Sequence, residues 1–504
     1  MRLLKKLVEH LRSEGSRAEK GAVLVIVASS LLVIMGMAAF SVDYGWIYYN
    51  QLNARKAAES AALAGVAHMP LPNCDPPVSG TQPYDTAVDI AGRNGYMAMN
   101  GDTVSPAMGS TCARLQVTVN RTIPTFFMKA FGIDTLSVSE TAVAEHLPNL
   151  KMGSDEPYLG EDPEGGAARN ADFFLAVNGD RTNKAQGDAY TSECYGDYNT
   201  SCQGANFEFN QGFADGSPSY YYAIDVPQSV PSGSSLTVQI YDPQMNINGV
   251  TDDRELNAPV NSGPYSDSRL QFTLLEPDDT PSSWIDNTTA VCTQTYYQED
   301  HSNYNPSLMD SWVSFCVDGA IQGVYVLEVR QTGNVDLLNA FSIRALVNGN
   351  VANDVAVYGL GAMSLWNSQA GAGKQFKLVK LDDVYAGSRL VVQLWDVGDI
   401  NGTGSLEFKG SLAPIDCQIR ERTQTGAITV DWGPDDGGTG CFENINPERE
   451  YNNEWVDFAF DVPADFTCTG DACWATVQYN LPGQPHDRTT WSAFIDGQPI
   501  HLIP

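Results

Sequence analysis

At 504 residues the chain is longer than one ordinary domain and has room for several cores. It carries 29 Lys and Arg against 61 Asp and Glu, a net charge of -32, which argues against nucleic acid as a partner because phosphate contacts need clustered cations. Such acidity suits solubility in an exposed compartment, and it equally suits binding of divalent cations.

The first element is a helix. Residues 22–42, AVLVIVASSLLVIMGMAAFSV, hold no charge, and a run of that length at about 1.5 Å per residue matches a hydrocarbon core about 30 Å thick. Arg2, Lys5, Lys6, Arg12, Arg17 and Lys20 precede it, whereas the chain beyond is strongly acidic. The positive-inside rule therefore predicts residues 1–20 in the cytoplasm, a single pass through the cytoplasmic (inner) membrane at 21–42, and an extracytoplasmic bulk. A cleaved secretory signal would have a shorter apolar core, so an uncleaved anchor is expected.

Next comes YGWIYYNQLNARKAAESAALAGVAHMP, with Trp46, Tyr48 and Tyr49 where an interfacial aromatic belt belongs. The helix is predicted to run on to Pro70, giving a small-residue stalk over 43–70. Ala57, Ala61 and Gly65 recur every four residues beside Ala58 and Ala62, making two rows of small residues on one face. Such a face lets backbones approach closely, within the protein or with a partner. High helix propensity alone would also favour alanine.

Residues 73–148 read as a compact α/β unit. The helical pattern YDTAVDIAGRNGYMAMNG precedes RLQVTVNRTIP, in which Leu115, Val117 and Val119 alternate with polar neighbours as in a half-buried strand. TFFMKAFG predicts a short helix closed by Gly132, and LSVSETAVAEHL a further strand.

Over about residues 19–146 the chain resembles the N-terminal region of TadG-like proteins of Tad (tight adherence, Flp) pilus systems. The resemblance rests on the anchor, the Asp-Tyr-Gly at its end, the alanine-rich helix, NGY, and LQVTVNRTIPTFFMKAFGIDTLSVSETAVAE. It implies a membrane-anchored, pilin-like subunit or assembly factor with a protruding C-terminal region. Pilin precursors are cut after a glycine with glutamate five residues on; Gly21 fits, but Ile26 stands at the fifth place. Larger family members carry a von Willebrand A-like metal site. The letters DGSPS (Asp215 to Ser219) occur, but NFEFNQGFA before them does not read as the buried strand that site requires.

Residues 149–169, acidic and rich in Gly and Pro, predict a linker. Beyond it the pattern is strand and turn, and it is duplicated. YYYAIDVPQSVPSGSSLTVQIYDP (220–243) lies without gaps over KQFKLVKLDDVYAGSRLVVQLWDV (374–397), with seven of 24 positions identical. SWVSFCVDG and EWVDFAFDV keep the same order. Two tandem all-β sandwich domains are predicted, over 170–347 and 348–504.

All ten cysteines lie beyond the anchor, an even number in an extracytoplasmic chain, and predict disulfides. Neighbours pair as Cys74 with Cys112, Cys194 with Cys202, Cys292 with Cys316, Cys417 with Cys441 and Cys468 with Cys473, the connectivity being open. No CxxC is present to suggest zinc.

The duplicated strand ends lead into DPQMNING and DVGDING, which place Asp242, Asn246 and Asn248 in correspondence with Asp396, Asp399 and Asn401. Clustered oxygen ligands on a tight turn are what Ca²⁺ needs, and a plain Asn-Gly hairpin turn explains the same residues. Asp431, Asp435 and Asp436 form a second acidic loop. Tyr220, Tyr221, Tyr222 and Trp474, the last expected at the surface beside Cys473, offer rings for stacking on sugars or for core packing. No cofactor is required by any motif. No nucleophile elbow, HExxH or phosphate loop is present, and His301, His486 and His501 sit in no catalytic motif.

The sequence thus predicts a single N-terminal transmembrane helix with a helical extension, a small pilin-like α/β unit and two tandem β-sandwiches. The function expected is a non-enzymatic structural or assembly component of a Tad/Flp-type pilus or adhesion system, its partners the membrane and pilus-assembly or pilin-like proteins. The rival reading is a surface module that binds glycan or protein, with or without calcium, on a generic anchor. A third is an envelope hydrolase.

Overall fold

The computed structural model describes residues 2–69, 71, 75–147, 149–164, 173–178, 187–190, 219–244, 254–255, 269–278, 284, 287–297, 305–332, 337–351, 354–367, 373–397, 403–423, 426–437, 440–445, 451–452, 454–480, 488–497 and 500–503. They fall into two compact units: Met1–Leu71 with Asp75–His146 and Ile500–Pro504, and Pro72–Cys74 with Leu147–Pro499.

The first unit is built on one long helix, α1 (Arg2–Val66), that carries the apolar run and the alanine-rich segment without interruption. A second helix, α2 (Gln82–Arg93), starts with Pro83 in its first turn and has Asp85 near its N-terminus and Arg93 in its last turn, both favourable to the helix dipole. Ala87 and Ala91, four apart, are its buried face. Three strands follow: β1 (Thr103–Met108), β2 (Arg114–Pro124) and β3 (Thr135–His146), paired antiparallel in that order. The alternation expected in β2 is present, since Leu115, Val117 and Val119 are buried and Gln116 is exposed. A strand from the far end of the sequence, Ile500–Ile503, completes this sheet by pairing Leu502 with Ala144 of β3. The core joins Ala54, Ala57, Ala58, Ala61, Ala62 and Val66 of α1 to α2 and the inner face of β2 and β3.

Among its described residues the second unit is all β, with a ten-stranded and a thirteen-stranded sheet. Both duplicated halves contribute to both sheets. Strand Ser235–Tyr241 sets Tyr241 opposite Trp312, and its counterpart Arg389–Trp395 sets Trp395 opposite Trp455, so the aligned aromatics take the same ladder position in each half. The ten-stranded sheet ends at Ala290–Tyr297 on one side and at Phe442–Ile445 on the other. Cys292–Cys316 ties the first of these edges to the other sheet, and Cys417–Cys441 does so beside the second. A third disulfide, Cys468–Cys473, closes a short loop, and Cys112 is disulfide-bonded in the first unit. Cys74, Cys194 and Cys202 lie outside the described residues.

The segment expected to be a linker is instead built into these sheets as far as it is described. Met152 pairs with Gly359 on one side and Val379 on the other, bridging the strands that flank it, and Leu159 pairs with Ile343. Leu150, Met152 and Leu159 are buried. Its acids are engaged too: Lys380 Nζ lies 2.8 Å from Asp155, and Trp312 Nε1 donates to Asp162 at 2.9 Å. A few apolar residues spaced among Gly and Pro suffice for such short edge-to-edge strands.

Candidate functional site

The uncharged run on α1 leaves its side chains outside the protein. From Val23 to Val42 nearly every residue is exposed, and among the described residues this is the one helix long and apolar enough to cross a membrane. The burial changes at Asp43, the first charged residue after the run. Its carboxylate is buried and accepts the backbone N–H groups of Phe126 (2.7 Å), Phe127 (2.9 Å) and Met128 (2.6 Å). These are the free donors at the start of the 3₁₀ turn Met128–Phe131, which ends at Gly132 in a left-handed conformation (φ 83°) that favours glycine. Burial pushes the Asp43 carboxyl up, but the three N–H donors and Lys129 outweigh it and hold it below the usual carboxylate value of 3.8.

One turn further, Trp46 packs edge-on against Phe126, with centroids 5.7 Å apart, and stacks on Tyr49. Asn50 bonds back to the Trp46 carbonyl at 2.8 Å, and the Tyr96 hydroxyl donates to the Asn50 carbonyl at 3.4 Å. Arg121 lies 4.0 Å above the Tyr96 ring and grips both carboxylate oxygens of Asp102 at 2.7 Å each. The Arg121 hydrogen bonds, stronger here than the opposing effect of burial, lower the Asp102 pKa.

The small-residue face has its partner within the unit. Ala57 and Ala61 are wholly buried, and a Cβ built on Gly65 would lie 2.5 Å from Leu115 Cδ2 and 2.6 Å from the Pro83 carbonyl oxygen. Of the two contacts the sequence left open, α2 and β2 supply the one within the protein.

In the second unit, Asp242 and Asp396 occupy equivalent turns. Both are buried and left-handed (φ 50° and 58°), and their N–H groups donate to the Ser311 and Glu454 carbonyls, each at 3.1 Å. Asp242 Oδ1 also accepts the Asp310 N–H at 3.1 Å. Asn246, Asn248, Asp399 and Asn401 lie outside the described residues. In the other acidic loop, Asp435 accepts the Phe442 N–H at 2.8 Å and Asp436 accepts from Asn444 at 3.0 Å, so both hold their own hairpin. Among the described residues, the ligand-type groups that approach one another, Cys417 with Asp435 and Cys441, and Asp382 with Cys468 and Cys473, each contain a disulfide and so offer no thiolate.

Trp474 is not at the surface as expected. It is buried on a strand, opposite Lys380, with Lys377 Nζ 4.9 Å from its ring centroid. Tyr220 and Tyr222 are buried as well, and Tyr221 packs on Trp284 at 4.9 Å. Their alternation along a strand with both faces covered explains why a surface tyrosine cluster does not form. Asp188, which the sequence reading did not single out, is fully enclosed. Burial raises its pKa against the lowering effect of the Tyr220 hydroxyl and the Asn178 and Tyr190 N–H groups, and these donors make it a structural hub.

The short helix closed by Gly132 is where TFFMKAFG placed it, and the Asp-Tyr-Gly was marked by the resemblance, but the contact of Asp43 with this turn was not foreseen. The available signal was TFFMKAF, too apolar for an exposed short helix.

The geometry defines a class: a β-sandwich protein whose separate α/β unit rides on a helix long enough to span a membrane. Residues 21–68 match the family model described as putative Flp pilus-assembly TadE/G-like, the stretch that runs from the exposed apolar helix through the buried alanine face. No curated protein matches the chain. Among solved structures, the chain is similar to the tandem CBM22-1–CBM22-2 domain of Paenibacillus barcinonensis Xyn10C at 12% identity, covering 53% of this chain and 81% of that one with a TM-score of 0.14. It is also similar to the infectious bursal disease virus Gx strain structure, at 10% identity, 54% and 61% coverage and a TM-score of 0.10. At these scores neither likeness bears on fold or function.

Proposed function

We propose that the chain is a membrane-anchored, extracytoplasmic structural or assembly component of a Tad/Flp-type pilus or adhesion system, without an enzymatic role. One observation carries this. The match to the pilus-assembly family covers residues 21–68, the same residues that form a bare apolar helix joined to a rigidly packed α/β unit. The basic residues before the apolar run support an N-terminus inside and the acidic bulk outside. With the alanine face occupied within the unit, the apolar helix is the surface through which pilin-like or assembly proteins of the same membrane would pack.

Crosslinking in intact native cells, followed by purification of the full-length protein and mass spectrometry, tests this. Recovery of pilin or pilus-assembly membrane proteins through residues 23–52 is expected. Recovery only of envelope polymer or foreign surface proteins, through the second unit, would overturn it.

A further inference from the structure

The turn held by Asp43 presents four large apolar side chains that the protein does not cover. Phe126, Phe127, Phe131 and Ile133 are 48%, 47%, 71% and 43% exposed within ten residues of chain. Isolated exposed apolar residues need no explanation, but a cluster of this kind marks a contact surface. Its position identifies the occupant. Phe131 stacks on Phe40 with ring centroids 5.5 Å apart, and Phe40 belongs to the uncharged run and is itself 44% exposed. Phe40 lies three residues before Asp43, about 4.5 Å deeper along the helix axis. The tip of the turn is therefore level with the end of the membrane-spanning segment.

We propose that this turn, residues 125–133, is a second membrane contact, inserted at the headgroup–acyl boundary of the leaflet from which α1 emerges. The proposal rests on the anchor reading above and extends it. Apolar faces of interfacial segments sit about 5–10 Å into that boundary, and Phe131, stacked on Phe40 about 4.5 Å below Asp43, reaches the shallow end of that range of depths. Tyr44, Tyr48 and Tyr49, all exposed on α1 just beyond Asp43, supply the aromatic collar of the same level. Lys129 is the one charged side chain in the turn, and its long stem can carry the ammonium up to the headgroups. The three hydrogen bonds to Asp43 fix the turn to the helix, so the α/β unit meets the bilayer at two points and its tilt is set. A single helix would leave the unit free to swivel.

The test uses the full chain with Phe131→Trp, reconstituted in phosphatidylcholine–phosphatidylglycerol vesicles whose acyl chains are brominated either near the headgroup or near the chain end. Fluorescence is taken as the difference from the parent protein, and Leu32→Trp reports on the span in parallel. The inference expects loss of the Phe131→Trp signal, greater with shallow than with deep bromine, and the reverse order for Leu32→Trp. Quenching of Leu32→Trp with no quenching of Phe131→Trp would overturn the second contact while leaving the anchor. Shielding of Phe131→Trp from aqueous iodide without lipid quenching would also overturn it, giving the turn a protein partner. If neither tryptophan is quenched, the anchor falls and the inference with it. Phe127→Trp provides a second reporter should the first variant fold poorly.

Discussion

Replacing Gly65 by alanine asks whether the small-residue face of α1 serves the unit itself. The new Cβ would stand 2.5 Å from Leu115 Cδ2, 2.6 Å from the Pro83 carbonyl oxygen and 3.0 Å from Ala87 Cβ. Carbon contacts settle at about 3.5–4.0 Å, so α1 and α2 must separate by about 1 Å at their closest approach. The Leu115 methyl can rotate aside, but the Pro83 oxygen is backbone in the first turn of α2 and cannot. Overpacking of this kind costs about 1–3 kcal/mol, and the better helix propensity of alanine returns at most about 1 kcal/mol. A net loss of about 1–2 kcal/mol is expected, or roughly 2–8 °C in melting temperature for a unit of this size. Gly36, with nothing within 4 Å of its built Cβ, is the matched control, and Gly36→Ala is expected to leave the melt unchanged or to raise it slightly through helix propensity. The assay is thermal unfolding of the full chain in detergent, with hydrogen exchange read on peptides from 82–93 and 114–124. An unchanged or higher melting temperature for Gly65→Ala, with its crosslinking to partners reduced, would refute the reasoning and return the face to intermolecular use.

Asp457 is wholly buried and receives Arg420, Arg422 and Gln393, with the guanidinium nitrogens at 2.7–2.9 Å. Asp457→Ala strands two partly buried cations and is expected to cost about 3–5 kcal/mol, seen as early melting of the second unit. Asp461→Ala, which breaks a pair with a 76% exposed carboxylate, should cost under about 1 kcal/mol in the same scan. Asp43 has its pKa lowered in the fold, so its hold on the aromatic turn is complete above pH 3.8 and is lost as pH falls through the lower folded value. Asp43→Ala should therefore raise hydrogen exchange over 125–134 at neutral pH, and acidification of the parent should do so only below about pH 3.8. His146 is buried beside the Met69 carbonyl (2.7 Å), and burial lowers its pKa from 6.5. Stability from the neutral ring is present above pH 6.5 and declines as pH falls below it, so exchange in β3 and in 500–503 should rise between neutrality and acid, a trend absent in His146→Phe. Cys292 and Cys316 close a 24-residue separation, and their replacement by alanine is expected to cost about 3 kcal/mol, measured by denaturant unfolding without reductant.

The elements legible in the sequence were those whose residues carry a period. The apolar run, the alanine rows, Leu115-Val117-Val119 and the duplicated strand around Gln239 and Gln393 all carry such a period. Lys151–Met152 and Ile500–Ile503 are too short to show alternation, and their partners lie hundreds of residues away in sequence, so nothing local marks them as strands. Asp43 was read as the end of a membrane run because a carboxylate there is ordinary; only the tertiary approach of residues 126–128 gives it its hydrogen bonds. The alanine face was read as a close-packing surface, and small residues suit an inner and an outer partner equally well. Trp474 misled because a neighbouring cysteine suggests an exposed loop, whereas the strand that follows turns the indole inward.

The pairing of Ile500–Ile503 with β3 makes residues 147–499 an excursion between two strands of one sheet. That sheet cannot be completed until residues 147–499 have been synthesised, so its closing strand forms only after a long excursion of the chain.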